Sequence, residues 1–244
     1  MRSPCCATWA CSASSMRDAW RFAVGTLTAL PVRPPTRVDR DTARRAMLLA
    51  PLAALPLGLL VAAVLAAGRA VELPPLAVGL LAVGALAASS RALHWDGLSD
   101  TVDGLAASYD PARSLAVMRS GTSGPAGVLA TVVVAGVQAA ALATLLDQPL
   151  LAGALVCLSR CALWIVCCTR VPAARADGLG ADVARTVPLP VAVLGGLLLS
   201  AVGGLVVLVL VRRTVRRFGG VTGDVMGAAV ELALAATLLA WAAR

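Results

Sequence analysis

The chain has 244 residues, of which 59% are hydrophobic and 14% charged, with a mean hydropathy of +0.85. This composition excludes a soluble protein, since a fold of this size could not bury so much apolar surface, and it predicts an all-α, polytopic integral membrane helix bundle. The 21 cationic residues are all arginines, give a net charge of +8 and flank the apolar runs, which is the pattern of membrane topology and not of a nucleic-acid-binding surface.

The N-terminal part of the chain divides into three segments before the first apolar run. Residues 1–15 lack the apolar core of a signal peptide, and we predict a disordered extension or a misassigned start codon. Residues 16–244 are predicted to form a single membrane-embedded domain. It begins with a short helix at the membrane surface over 17–31, followed by a Pro- and Arg-rich cytoplasmic linker over 32–47.

Apolar runs close to the roughly 20 residues that cross a bilayer recur along the rest of the chain. They predict membrane spans at about 48–68, 74–90, 125–146, 150–169 and 225–243. A single further span over 187–211 would place the arginines of 212–217 on the opposite side from the other arginine-rich loops. Two short helices, 187–201 and 203–217, would instead form a hairpin that keeps all these loops on one side. The hairpin predicts about seven transmembrane helices, with six as the alternative.

Three carboxylates are concentrated in the loop predicted over 91–124, in a chain with only 13 acidic residues. If this stretch is helical, Asp96, Asp100 and Asp103 share one face, where each like-charged pair costs about 0.2–0.5 kcal/mol. A divalent cation would convert this repulsion into coordination. Hard oxygen ligands favour Mg²⁺ or Mn²⁺.

A second polar motif, Gly219-Gly220-Val221-Thr222-Gly223-Asp224, comes just before the last span. In the hairpin topology it faces the same aqueous side as the first acidic cluster. Its glycines would let the backbone approach a phosphate, and the free N–H groups at the start of the next helix suit an anion. The alternative is that Thr222 or Asp224 only caps that helix.

Two charged residues lie inside predicted spans, where they need a partner. Arg160 is near the middle of the fourth span, at a cost of roughly 2.5–3.5 kcal/mol on insertion scales. Glu231 lies at comparable depth in the last span. We expect the two to pair at the floor of a cytoplasm-facing pocket, either in contact with substrate or as a packing ion pair only.

Four further polar residues have two interpretations each. His94, the only histidine, either orients a carboxylate or contacts phosphate, or it has only a structural role. Arg45 and Arg119 either clamp phosphates or anchor to lipid headgroups. Asp177 either joins the site or belongs to a plain turn.

Taken together, these motifs resemble those of the cobalamin synthase family, the adenosylcobinamide-GDP ribazoletransferases. The family's His-x-Asp-Gly-x-x-Asp-x-x-Asp-Gly motif is matched by residues 94–104, its Met-Arg pair by Met118-Arg119, and its Gly-Gly-x-Thr-Gly-Asp motif by residues 219–224. The resemblance covers about residues 17–240. The acidic residue that often follows Met-Arg in the family is absent, since Ser120-Gly121-Thr122 stands there.

The resemblance implies a transferase of the last steps of vitamin B12 biosynthesis, in a bacterial cell membrane with its active site facing the cytoplasm. It would join adenosylcobinamide-GDP and α-ribazole, or its 5′-phosphate, to give adenosylcobalamin, or its 5′-phosphate, and GMP. The implied cofactor is Mg²⁺. The oligomeric state is left open.

The same resemblance implies roles for individual residues. The expected metal ligands are Asp96, Asp100, Asp103 and Asp224, which are also catalytic together with His94. Either Asp103 or Asp224 would accept the proton of the attacking ribose hydroxyl. The expected substrate-binding residues are Arg45, Arg119, Arg160, Asp177, Gly220, Thr222, Gly223 and Glu231.

Two other functions compete with this interpretation. A CDP-alcohol phosphotransferase also uses clustered aspartates, but its Asp-Gly-x-x-Ala-Arg motif is not matched, because Asp96-Gly97 leads to Thr101-Val102. A cation transporter would need carboxylates at the centre of a span and an inverted repeat. Neither feature is evident in the sequence.

Overall fold

The structure, a computed structural model, describes the backbone of residues 4–243 and the side chains of residues 16–243. This part of the chain forms thirteen α-helices and no β-strand, which confirms the predicted all-α class. Within residues 1–15, residues 1–3 and all side chains lie outside the described part. The disordered extension or misassigned start codon therefore stays a prediction. The helices are α1 Pro4–Leu27, α2 Arg40–Ala53, α3 Leu55–Ala70, α4 Pro75–Ser89, α5 Leu93–Ala107, α6 Pro111–Val117, α7 Pro125–Ala143, α8 Pro149–Ser159, α9 Ala162–Val166, α10 Leu179–Val183, α11 Leu189–Leu198, α12 Ser200–Phe218 and α13 Gly223–Ala242.

Four helical segments of the described chain are long and apolar enough to cross a membrane, as expected for an integral membrane protein. They are Arg40–Ala70, Pro125–Ala143, Pro149–Val166 and Gly223–Ala242. Helices α4 and α5 pass the same test only together, across a bend of 93°, and add a fifth segment if they count as one. The predicted number of about seven transmembrane helices is therefore not confirmed.

The region predicted as a hairpin does fold as two helices, α11 and α12, but its arms are unequal. With 10 residues, α11 is about 15 Å long and too short to cross a bilayer, whereas α12 has 19 residues. The two arms meet at glycines, because a Cβ on Gly204 would lie 2.7 Å from the carbonyl oxygen of Gly196. Such close packing returns the chain towards the side from which it came.

The prediction of a loop over 91–124 is wrong for its first half, which forms the 15-residue helix α5. In an isolated helix its two glycines would cost roughly 1 kcal/mol each. Tertiary packing reverses this preference, because both glycines admit neighbours at close range. A Cβ on Gly97 would lie 2.6 Å from the carbonyl oxygen of Asp224, and one on Gly104 would lie 2.6 Å from the side chain of Met118.

Helix α13 forms the centre of the bundle and packs against α5, α7, α8, α9 and α12. Its residues from Val225 to Leu238 are buried, apart from Leu232. A helix that is apolar on nearly all sides belongs in the interior of a fold. The two acidic residues of this helix, Asp224 at its start and Glu231 in its middle, are thereby placed inside the molecule.

Candidate active site

The crossing of α5 and α13 brings the two sequence motifs together. Besides the contact between Gly97 and Asp224, a Cβ on Gly227 would lie 2.9 Å from Cα of His94. The two helices therefore touch backbone to backbone over one turn of each. No larger side chain fits at either glycine without separating the helices.

This crossing gathers acidic side chains that are far apart in sequence. The charges of Asp96, Asp224 and Asp103 all act on Asp100 and repel its ionised form. Asp96 is exposed, while Asp100 and Asp224 are half-buried. Asp224 thus lies beside the first cluster, on the side of the molecule where the hairpin topology placed it.

A cavity of about 430 Å³ opens at this crossing. Its walls come from the end of α1, from α2, from the start of α5, from the segment 175–181 and from the start of α13. Six residues of the predicted site line it, namely His94, Asp96, Asp177, Thr222, Gly223 and Asp224. The other predicted residues, Arg45, Asp100, Asp103, Arg119, Arg160, Gly220 and Glu231, lie outside its lining.

Two arginines in the wall of the cavity were not among the predicted site residues. Arg175 donates a hydrogen bond to the carbonyl oxygen of Leu115 at 3.0 Å, and its Nε is buried without a partner. Burial lowers the pKa of Arg175, as does the charge of Arg119, and the charge of Asp224 opposes this. Arg91 donates to the carbonyl oxygen of Gly25 at 2.7 Å. In the sequence both resemble ordinary arginines that flank membrane spans, and no local signal distinguishes them.

Asp103 is engaged elsewhere. Its two carboxylate oxygens accept hydrogen bonds from the backbone amides of Gly124, at 2.6 Å, and Gly127, at 2.8 Å, and the side chain is buried. These amides belong to the N-terminus of α7, where a carboxylate satisfies free N–H groups and the helix dipole. Asp103 therefore joins α5 to α7.

Arg119 and Arg45 each pair with an aspartate. The Nη2 atom of Arg119 lies 2.8 and 2.9 Å from the two carboxylate oxygens of Asp177, which links the segment after α6 to the wall of the cavity. Arg45 lies 2.8 Å from Asp41, one turn before it in α2. Arg119 thus supports the cavity wall through Asp177, whereas Arg45 stays away from it.

The Gly-Gly-Val-Thr-Gly-Asp motif has a structural use at each end. A Cβ on Gly220 would lie 2.4 Å from the carbonyl oxygen of Pro172, so this glycine admits the backbone that leads to Arg175. The hydroxyl of Thr222 accepts a hydrogen bond from the amide of Val225 at 3.3 Å, as an N-cap, and donates to Asp224 at 3.1 Å. The capping interpretation is thus confirmed for Thr222, which also lines the cavity.

A buried polar network lies next to the cavity. In it the predicted ion pair of Arg160 with Glu231 is not formed, and each residue has other partners. Glu231 accepts a hydrogen bond from Gln138 at 2.8 Å, and its other oxygen lies 3.5 Å from Nδ1 of His94. Arg160 donates instead to the carbonyl oxygen of Val156 at 2.7 Å. Arg160 and Glu231 still attract each other electrostatically, but they are not in ion-pair contact.

The cavity offers a metal ion the carboxylates of Asp96, Asp177 and Asp224 and the imidazole of His94. Among the described residues, no three His, Cys, Asp or Glu side chains lie close enough together to form a ligand set by themselves. The four cysteines of the described side chains, residues 157, 161, 167 and 168, lie outside the lining of the cavity. A hard cation such as Mg²⁺ would take its protein ligands from the carboxylate oxygens.

Comparison with known proteins gives one consistent result. The family model described as cobalamin-5-phosphate synthase matches residues 19–242. No solved structure matches the chain.

Relatives named adenosylcobinamide-GDP ribazoletransferase cover most of the chain. One from Frankia casuarinae is 37% identical, over 91% of this chain and 93% of its own length. One from Stutzerimonas stutzeri is 35% identical, over 87% and 93%, and one from Brucella anthropi is 35% identical, over 77% and 82%. The chain therefore belongs to the cobalamin-5-phosphate synthase family and is a transferase.

Proposed function

We propose that this protein joins adenosylcobinamide-GDP to α-ribazole or its 5′-phosphate. The products are adenosylcobalamin, or its 5′-phosphate, and GMP. In this reaction a ribose hydroxyl oxygen bonds to the phosphorus next to the cobinamide, and the bond between that phosphorus and the GMP oxygen breaks. The observation that carries the proposal is the convergence of Asp96, Asp224, Arg91 and Arg175 on one cavity. The names of the relatives supply the substrates.

The cavity suits the diphosphate end of the donor. Arg91 and Arg175 supply positive charge for phosphate oxygens, and the N-terminus of α13 adds backbone amides at Gly223. The volume of about 430 Å³ is too small for the whole corrinoid. The corrin ring would then lie outside, over apolar and small residues near the membrane surface.

Mg²⁺ is part of the proposal, and carboxylate oxygens are ligands of the kind that this ion prefers. Mg²⁺ binds to one or two carboxylates while keeping waters and substrate phosphates as its other ligands, so it does not need a closed set of protein ligands. Asp96, which lines the cavity, would hold it, and the ion would relieve the repulsion between Asp96 and Asp100, one turn further along α5 and outside the lining. When bound, the ion would neutralise the diphosphate and the GMP leaving group. Asp103 is the poorer ligand, because backbone amides occupy both of its oxygens.

The proton of the attacking hydroxyl needs an acceptor in the cavity. Asp224 lines the cavity, and the hydroxyl of Thr222 donates to one of its oxygens, which leaves the other for the substrate. Asp103 does not reach the cavity. We assign the role of general base to Asp224, with catalysis otherwise consisting of positioning and charge neutralisation.

Purified protein in vesicles tests the proposal by release of GMP from adenosylcobinamide-GDP in the presence of α-ribazole. We expect Asp224→Asn to lower turnover by at least about 100-fold, the usual contribution of a general base. A chelator should stop the reaction and added Mg²⁺ should restore it. As a control, Asp147→Asn alters an exposed aspartate that pairs with Arg69 away from the cavity, and it should leave turnover unchanged.

The competing functions predict other results. Near-normal turnover of the Asp224→Asn variant would remove the assigned base. Transfer from CDP-alcohols, or cation flux across the vesicles without GMP release, would contradict the proposed reaction as a whole.

A further inference from the structure

The outer face of α12 changes from apolar to basic along its length. Its first part exposes Val202, Leu205 and Val209, with 52–60% of each residue accessible. Its last part carries arginines that, together with Tyr109, border a shallow cavity of about 360 Å³. This arginine patch consists of Arg212, Arg213, Arg216, Arg217 and Tyr109.

One arginine of the patch is fixed in place. Arg217 donates hydrogen bonds to the carbonyl oxygens of Leu105, at 3.1 Å, and Ser108, both at the end of α5. Its guanidinium lies 4.1 Å from the centre of the Tyr109 ring, a cation–π contact. Tyr109 is the only tyrosine of the chain and is 87% exposed. The patch is therefore a built surface at the junction of α5 and α12.

The other three arginines lack a counter-charge. Arg212, Arg213 and Arg216 are exposed and make no hydrogen bond or ion pair with any described residue. Helix α12 contains no acidic residue. Three like charges within five residues repel one another unless an anion lies between them.

We propose that the arginine patch binds the phosphate of an anionic phospholipid, whose acyl chains lie along the apolar part of α12. A free anion would use the arginines but not the exposed apolar residues that continue from them. From Leu205 to Arg212 the helix rises about 10 Å, so a lipid with its phosphate on the patch has its first methylene groups beside Val209. An exposed tyrosine at this level is typical of the membrane interface.

This site is distinct from the active site. The cavity at the patch and the active-site cavity share no lining residue. Basic pockets between membrane helices bind anionic headgroups, and each arginine near such a surface strengthens binding roughly fivefold. The inference does not depend on the proposed reaction.

Lipid titration of the purified full-length protein in detergent, read by native mass spectrometry, tests the proposal. Phosphatidylglycerol should bind to the wild-type protein more tightly than phosphatidylcholine. The triple variant Arg212→Gln, Arg213→Gln, Arg216→Gln should weaken phosphatidylglycerol binding by at least about tenfold. A matched triple variant at exposed arginines elsewhere, Arg33→Gln, Arg37→Gln, Arg113→Gln, loses the same charge and should bind like the wild type.

Two further binding measurements use the wild-type protein alone, so that their results do not depend on whether the variant folds. Raising the salt concentration should weaken phosphatidylglycerol binding and leave phosphatidylcholine binding unchanged. Glycerol-3-phosphate should not displace the lipid at equal concentration. Equal binding of the two lipids, unchanged binding by the patch variant, or displacement by glycerol-3-phosphate would each overturn the proposal.

Discussion

Arg160 shows how a charge inside the bundle is accommodated without a direct ion pair. The residue is fully buried, and its Nη1 donates to the carbonyl oxygen of Val156 and to the hydroxyl of Ser159. Its Nε and Nη2 have no hydrogen-bond partner. Glu231 supplies a compensating negative charge that acts on Arg160 without an ion-pair contact. The two charges therefore depend on each other for stability.

Removal of one of these charges should destabilise the fold. We expect Glu231→Gln to lower the free energy of unfolding by about 3–5 kcal/mol, because it leaves the buried guanidinium without its counter-charge. The double variant Arg160→Met, Glu231→Gln should recover much of this loss. Unfolding of the purified proteins in detergent gives the comparison. If the losses caused by Glu231→Gln and by Arg160→Met, each measured alone, add up to the loss of the double variant, the two charges are independent.

Asp103 allows a sharp test, because its predicted and observed surroundings differ. Its carboxylate accepts two backbone amides of α7, whereas the side chain of asparagine can accept only at its single carbonyl oxygen. We expect Asp103→Asn to cost about 1–2 kcal/mol of stability, as for the loss of a helix cap. Turnover per folded molecule should stay close to that of the wild type. A loss of turnover of about 100-fold at unchanged stability would instead restore Asp103 as a ligand or base.

The contact between α5 and α13 positions the site, and it depends on one small residue. A Cβ at Gly97 would lie 2.6 Å from backbone atoms of Asp224, so Gly97→Ala must push the start of α13 away from Asp96. A displacement of this kind near 1 Å costs about 100-fold in rate. We expect a loss of at least about tenfold in turnover, measured by GMP release in vesicles.

Gly84 provides the matched control, because it is also helical and a Cβ there would meet nothing within 4 Å. Gly84→Ala should leave turnover unchanged and favour its helix by up to about 1 kcal/mol. Equal losses in the two variants would show that the close crossing is not what positions Asp224.

The sequence predicts these helices better than it predicts their contacts. Apolar runs and the Thr222 cap identify α13 within two residues, because hydrophobicity and capping act locally. Helix α5 was missed as an element, since its glycines are favourable only when Asp224 and Met118 are already against them. The cationic side of the site was missed for a similar reason. Arg91 and Arg175 gain their role from the cavity, and the local sequence carries no sign of it.

The arrangement of the whole molecule gives it two chemically different ends. Helix ends and loops at one end form the cavity, with Gly25, Arg91, Arg175 and Val221 in its wall. At the other end, Arg69 in the last turn of α3 pairs with Asp147 after α7 at 2.7 Å. Most of the arginines of the connecting loops lie at the cavity end. The positive-inside rule predicts that this end faces the cytoplasm, and this orientation stays a prediction.

The unequal hairpin does not alter this orientation. Because α11 is too short to cross, α11 and α12 together return the chain to the cavity end. They do not change whether the number of membrane crossings is odd or even. If the bent α4–α5 pair counts as one span, it and the four long segments would give five crossings. An odd number places the end of α13 on the side opposite to the cavity. A seven-helix arrangement would give the same orientation, so the helix count and the position of the active site are separate questions.

Single cysteines, placed in a background with all seven native cysteines changed to alanine, test this orientation. Ser120 and Gln148 are exposed residues, in the loop before α7 and in the loop after it. We expect a membrane-impermeant maleimide to label Gln148→Cys in intact cells and Ser120→Cys only after the membrane is opened. Retained transferase activity of the background protein shows that it is folded. The reverse labelling pattern would place the cavity outside the cell, away from a cytoplasmic nucleotide-linked donor, and would contradict the proposed reaction.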